Sequence, residues 1–318
     1  MPTFYIKHLT KYTYSGNVID AANQIMLYPI NDSFQKVVTQ EVIINSNPNV
    51  ETHVDAFQNI VGTFMIIEPH DFLSIESDIE VITFPKSLPD DVVEVSKQWD
   101  ELKLIRNRAE FIDYVKFESF SGTDDVLDLI KTKDLNANSP YAVVNDLCGY
   151  FYTNFNYVQG LTTVNSTLDE IWELKAGVCQ DFTSVMLQVI RMFGIPARYV
   201  SGYISTNDGM TRGEGATHAW VEAYIPFYGW LGFDPTNNVV ANDNHVRLAV
   251  GRNYNDCSPV KGVFKGKVDD DLFVRVKVST AKENNESLVF PVSDSRSDSN
   301  NSFQKNLEYI QQQQQQQQ

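Results

Sequence analysis

Only three cysteines, Cys148, Cys179 and Cys257, occur in 318 residues, and no two form a Cys-x-x-Cys pair. Neither a disulfide framework nor a zinc–thiolate site is supported, and a reducing, cytoplasmic setting is expected. Basic residues are also scarce: 25 Lys and Arg stand against 41 Asp and Glu. The formal net charge of −16 repels a phosphate backbone and excludes nucleic acid as a partner. No run of about 18 apolar residues is present, and the start of the chain has no charged stretch followed by an apolar one. Neither a membrane span nor an export signal is expected. His8, His53, His70 and His245 lack metal-site spacing, so surface or hydrogen-bonded roles are expected for them. Asp269-Asp270-Asp271 lacks the spaced oxygens and central glycine of a calcium loop, and no metal or other cofactor is expected.

What is present is a globular composition, 42% hydrophobic and 21% charged, with room for two cores. Residues 4 to about 84 carry short β-type runs divided by Pro29, Pro48, Pro69 and Pro85, which predicts a β domain over residues 1–85. From about Pro89 to Glu173 apolar residues take helical spacing. Between Gln180 and Phe193 they form one stripe, Phe182, Val185, Met186, Val189, Ile190 and Phe193, closed by Gly194 and Pro196. Three β-like segments follow, Arg198 to Ile204, Thr217 to Ile225 and Trp230 to Asp234. The second domain is therefore expected over residues 86–278, helical in its first half. Residues 279–318, polar and ending in a glutamine run, read as a tail too poor in apolar groups to fold.

Cys179 stands where a loop turns into the striped helix. There the unpaired backbone N–H groups and the helix dipole favour thiolate over thiol, and the same N–H groups can receive an oxyanion. Buried, inert roles are the ordinary expectation for Cys148 and Cys257. In the segment Thr217 to Ile225 the residues Ala219, Val221, Ala223 and Ile225 share one strand face, which puts His218 on the other with Trp220, Glu222 and Tyr224. A hairpin turning near Pro226 pairs His218 directly with Asp234, although other registers are open. A thiol at a helix start, an imidazole on a neighbouring strand and an orienting carboxylate are the parts of an acyl-transfer site.

Gly177-Val178-Cys179-Gln180-Asp181-Phe182, Arg198-Tyr199-Val200-Ser201-Gly202-Tyr203, Thr217-His218-Ala219-Trp220-Val221-Glu222, Gly229 to Asn237 and Val250-Gly251-Arg252-Asn253-Tyr254 together resemble the microbial transglutaminase-like superfamily. Tyr12 to Pro29 and Asp55-Ala56-Phe57-Gln58-Asn59 resemble the β-rich region that often precedes its catalytic domain. The resemblance implies an α+β protein: a β-sandwich-like N-terminal domain, then a papain-like core whose nucleophile heads a helix packed on an antiparallel sheet. It implies Cys179 as nucleophile, His218 as general base and acid, and Asp234 as the orienting carboxylate. Ser184 stands where relatives often carry His, and Asn253 where one form of the motif has Asp. The family contains cross-linking transglutaminases, peptidases, amidases and members without activity.

The expected function is cysteine-dependent acyl transfer on a peptide or protein amide through a thioester, hydrolytic because no amine-binding pocket or calcium site is specified. Glutamine cross-linking and a non-enzymatic scaffold are the alternatives. Tyr157 and Trp220 are candidates for the acyl groove, against the commoner core role of aromatic residues. Gln180 is a candidate oxyanion donor, and the glycine-bearing loop Ser205 to Ala216 a candidate rim of the cleft.

Overall fold

A computed structural model describes residues 1–90, 92–205, 212 and 216–282. The Gln-rich tail and most of the glycine-bearing loop lie outside the described residues. The chain begins with β1 (Thr3–Ile25), β2 (Gln35–Ile44), β3 (Glu51–Val54), β4 (Ile60–Ile66) and β5 (His70–Thr83). Next come α1 (Val95–Ile105), α2 (Thr123–Thr132), α3 (Pro140–Asn154), β6 (Asn156–Tyr157), α4 (Leu168–Leu174), β7 (Ala176–Gly177) and α5 (Cys179–Met192). The remaining elements are β8 (Ala197–Ile204), β9 (His218–Ile225), β10 (Gly229–Asp234), β11 (Val239–Val240), β12 (His245–Gly251), α6 (Tyr254–Cys257), β13 (Val260–Lys265) and β14 (Asp270–Ser279). No helix among the described residues is long and apolar enough to cross a membrane.

The N-terminal sheet curls around β1. The first half of that strand pairs with β5 and β14, and its second half with β4 and β13. The register shifts between Thr13 and Val18, which lets one continuous strand bend between two sets of partners. Residues 260–279, grouped with the second region on sequence grounds, thus take their strand partners from the first.

The second sheet has the order β11-β10-β9-β8-β12. Ala197, Tyr199, Ala219, Val221, Ala223 and Ile225 meet the apolar stripe of α5, including Phe182, Val185, Met186 and Ile190, in one buried core. Ending α5 requires a left-handed residue, which Gly194 supplies at φ 77°. Tyr203, Val246 and Leu248, from this sheet, are buried with Phe4, Ile6, Leu73 and Ile75 of the N-terminal sheet.

The outer edge of β12 is closed by side chains. The Asn59 amide donates to the Val250 carbonyl and accepts from the Val250 N–H, both at 2.8 Å. Gln35 does the same at Arg247, at 2.8 and 2.9 Å. Two amide side chains therefore take the place of a missing strand, and the backbone groups of a buried edge are satisfied. Asp55 accepts from the N–H groups of Phe57 and Asn59 and orients the Asn59 amide.

Candidate active site

Cys179 is the first residue of α5, so its own N–H and that of Gln180 are the leading amides of the helix. The turn before it is tightly held. Asp181 accepts from the Val178 N–H at 2.7 Å and from the Thr162 hydroxyl at 2.6 Å. A Cβ on Gly177 would run into the Asp181 carboxylate, so the chain needs glycine where it approaches the cap. Burial pushes the Asp181 carboxyl up against these two hydrogen bonds, with a net rise. The spacing from Val178 marks Asp181 as the third residue of the first turn, a capping position legible in the sequence but assigned no role there.

His218 opens β9. Its Nε2 donates to Asp234 Oδ2 at 2.7 Å, and both side chains are buried. Nδ1 is also buried, and the Cys179 sulfur interacts with this imidazole. Cys179 Sγ lies 3.9 Å from the Thr217 carbonyl oxygen, one residue before His218. Burial alone would push the His218 imidazole down; the charge and hydrogen bond of Asp234, helped by Cys179, outweigh it, and the net direction is up. Burial would raise the Asp234 carboxyl, and the charge and hydrogen bond of His218 bring it well below the ordinary range.

The hairpin register differs from the direct pairing considered on sequence grounds. β9 and β10 pair Ile225 with Gly229 and Val221 with Phe233, around a three-residue loop in which Phe227 takes φ 65°. Continued by one step, this register sets Asp234 level with Trp220. His218 is then two residues further along. Because the offset is even, His218 and Asp234 still share a face, and their contact is diagonal.

Asp234 is further fixed by the turn that Pro235 begins. Its Oδ1 accepts from Thr236 N at 2.9 Å, and its Oδ2 accepts from Asn237 Nδ2 at 2.8 Å. Cys148 Sγ donates to the Asp234 backbone carbonyl at 3.2 Å. His245, from β12, brings its Nε2 to 3.5 Å from the same Oδ2 and is buried. Asn237 stands three residues from Asp234, where local spacing could have revealed it; nothing in the sequence links His245 to this carboxylate.

Tyr157 and Gln180 line the cavity that contains Cys179 and His218. Trp220 does not: it is fully buried behind the sheet with Val200 and Val250, against Ile30 and Phe57. Ser184 donates to the Gln180 carbonyl, and Asn253 caps α6 through Asn255 N. Cys148 and Cys257 are buried and unpaired, and burial pushes both thiols up. No group of three or more His, Cys, Asp or Glu is arranged to hold a metal among the described residues.

Charge is concentrated on the face of the sheet turned away from α5, the face that also carries His218 and Asp234. There Glu222 meets Arg198 at 2.6 Å and Arg247 at 3.7 Å, and Arg247 reaches Asp32. Burial would raise the Glu222 carboxyl, but Arg198, Arg247 and Lys86 bring it down to about 2.

Residues 113–235 match the transglutaminase-like superfamily, and residues 4–82 match the bacterial transglutaminase-like N-terminal region. An uncharacterised protein of Mycobacterium tuberculosis (strain H37Rv) is 30% identical over 285 residues, covering 82% of this chain and 87% of the relative. A Pseudomonas aeruginosa protein named protein-glutamine gamma-glutamyltransferase is 36% identical over 76 residues, 22% of this chain and 11% of its own. The crystal structure titled a "Putative Cysteine Protease" from Cytophaga hutchinsonii superposes with a TM-score of 0.71 at 18% identity, covering 91% of this chain and 94% of that one. Matched in its core and in its N-terminal region, the chain belongs to the transglutaminase-like superfamily.

Proposed function

We propose that the protein is a cysteine-dependent acyl-transfer enzyme that hydrolyses an amide or peptide bond. The observation that carries this reading is the His218 imidazole, held by the Asp234 carboxylate on one side and interacting with Cys179 at the head of α5 on the other. A raised imidazole pKa favours the thiolate–imidazolium pair. The Cys179 sulfur attacks the amide carbonyl carbon, and the developing oxyanion is received by the leading N–H groups of α5. His218 gives its proton to the departing amine as the C–N bond breaks, leaving a thioester. Water, losing its proton to His218, then attacks the thioester and releases the acid and the thiolate.

Cross-linking differs only in the last step, where an amine replaces water. The segment shared with the Pseudomonas aeruginosa glutamyltransferase favours that reading. Hydrolysis is the reading taken because water, unlike an amine, needs no pocket of its own beside Cys179.

The test is to incubate the protein with a peptide library, with and without a primary amine, and to weigh the products. Hydrolysis yields acids in both incubations; cross-linking yields amine adducts. Cys179→Ala is expected to abolish turnover. Full activity in that variant would end the proposal.

A further inference from the structure

The cavity that holds Cys179 and His218 has a volume of about 330 Å³ and extends beyond the core to the N-terminal sheet. Its far wall is formed by His8, Thr10 and Tyr12 of β1 with Leu272 and Val274 of β14. Such a volume matches the small end of ordinary ligand pockets and holds an amino-acid side chain with room to spare.

Away from Cys179 and His218 its lining is neutral. Among the described residues that line it there is no Asp, Glu, Lys or Arg. The buried His8 is bonded to neutral groups alone, Nδ1 to the Tyr203 hydroxyl at 2.8 Å and Nε2 to the Thr10 hydroxyl at 2.9 Å. Burial lowers its pKa to about 4, so this imidazole stays neutral at ordinary pH. Ser201 supplies an independent sign that something binds. It lines the cavity and is 4% exposed, and its hydroxyl has no hydrogen-bond partner among the described residues. Buried hydroxyls are normally satisfied, and an orphan facing a cavity is poised for a ligand atom.

We propose that this cavity receives the uncharged side chain on the acyl side of the substrate, an apolar body with one polar tip that hydrogen-bonds Thr10 and Ser201. The N-terminal region is then part of the specificity machinery, through a strand that sequence motifs place far from the reacting cysteine. The proposal rests on the acyl-transfer reading of Cys179, and its test separates the two.

Cys179 is alkylated with N-tosyl chloromethyl ketones of tyrosine, phenylalanine, lysine and glutamate, the sulfur displacing chloride, and rates are read by mass spectrometry of the intact protein. Iodoacetamide, too small to need the cavity, reports the nucleophile alone. The tyrosine reagent is expected to react about tenfold faster than the phenylalanine reagent, from which it differs by one hydroxyl. The lysine and glutamate reagents should be slower by about a hundredfold or more, because their charges enter an unpaired, desolvated site.

Ser201→Ala breaks no hydrogen bond present among the described residues, so its fold should persist while the tyrosine preference shrinks and the iodoacetamide rate stays. Thr10→Val also removes the Thr10–His8 hydrogen bond and should likewise shrink the preference, with Thr10→Ser restoring both. Equal rates for the four ketones, with rapid iodoacetamide labelling, would overturn the cavity assignment and leave the nucleophile standing. A tyrosine preference untouched by both hydroxyl deletions would overturn the roles of Thr10 and Ser201. Iodoacetamide labelling of Cys179 no faster than of Cys148 would bring down both proposals.

Discussion

His8 and His218 stand on opposite walls of one cavity, each 1% exposed, and their surroundings drive them in opposite directions. His8 is held by two hydroxyls, so nothing offsets burial and its pKa falls to about 4. His218 suffers the same burial, yet the Asp234 carboxylate at 2.7 Å overrides it and the imidazole is raised. Burial does not by itself decide what a histidine does; the charge of its partner does. One end of the cavity is thereby suited to holding a neutral group and the other to moving a proton.

The comparison breaks most severely if His218 loses its carboxylate. Asp234→Asn keeps the shape of the side chain but makes the surroundings of His218 resemble those of His8. Turnover on an amide is expected to fall by about 10² to 10⁴. NMR titration should find the His218 pKa lowered in the variant. A variant with unchanged rate and unchanged titration would show that the carboxylate does not govern this imidazole.

The next effect is on stability, and the two histidines should shape opposite limbs of its pH profile. With a folded pKa near 4 against 6.5 unfolded, His8 binds its proton more readily in the unfolded chain. Stability is therefore lost as pH falls from 6.5 toward 4, by about 3 kcal/mol at roughly 1.4 kcal/mol per pH unit. His218, raised on folding, contributes stability that is full below pH 6.5 and is lost as pH rises toward its folded pKa. Asp234, depressed on folding, loses its contribution only as pH falls below about 3.8, outside the His8 window. Urea unfolding at a series of pH values should show that His8→Gln flattens the acid limb and Asp234→Asn the alkaline one. An acid limb unaltered in His8→Gln would remove the burial argument.

Much of the core was legible because it is local. The α5 stripe, its Gly194 stop and the alternation of β9 are patterns within a dozen residues, and the structure places those elements at Cys179–Met192 and His218–Ile225. The cavity was not legible. His8 looks like one polar residue in a short β run, and its burial comes from Tyr203, 195 positions away. The strands that flank the first half of β1 arrive from residues 70–83 and 270–279, pairings that no local pattern encodes. The diagonal placement of His218 and Asp234 depends on the three-residue loop at Pro226–Tyr228, whereas the shared face needed only the parity of the alternation.

His245 sharpens the comparison at its midpoint. It is buried too, at 7% exposure, and it has a carboxylate, but Asp234 stands at 3.5 Å and is already engaged by His218. Burial lowers the His245 pKa, the Asp234 hydrogen bond and charge raise it, and the neighbouring His218 lowers it, with a net fall. The other charged groups near this face, Glu222, Arg198, Arg247 and Lys86, are chiefly occupied with one another. If partner charge decides the state of a buried imidazole, removing the competitor should move His245 toward the behaviour of His218. His218→Asn is therefore expected to raise the His245 pKa, read from its ring resonances across a pH series, and to lower stability below pH 6.5, where the His218–Asp234 pair contributes in full. A His245 that titrates identically in both proteins would mean that the two rings do not share Asp234, and that the carboxylate serves His218 alone.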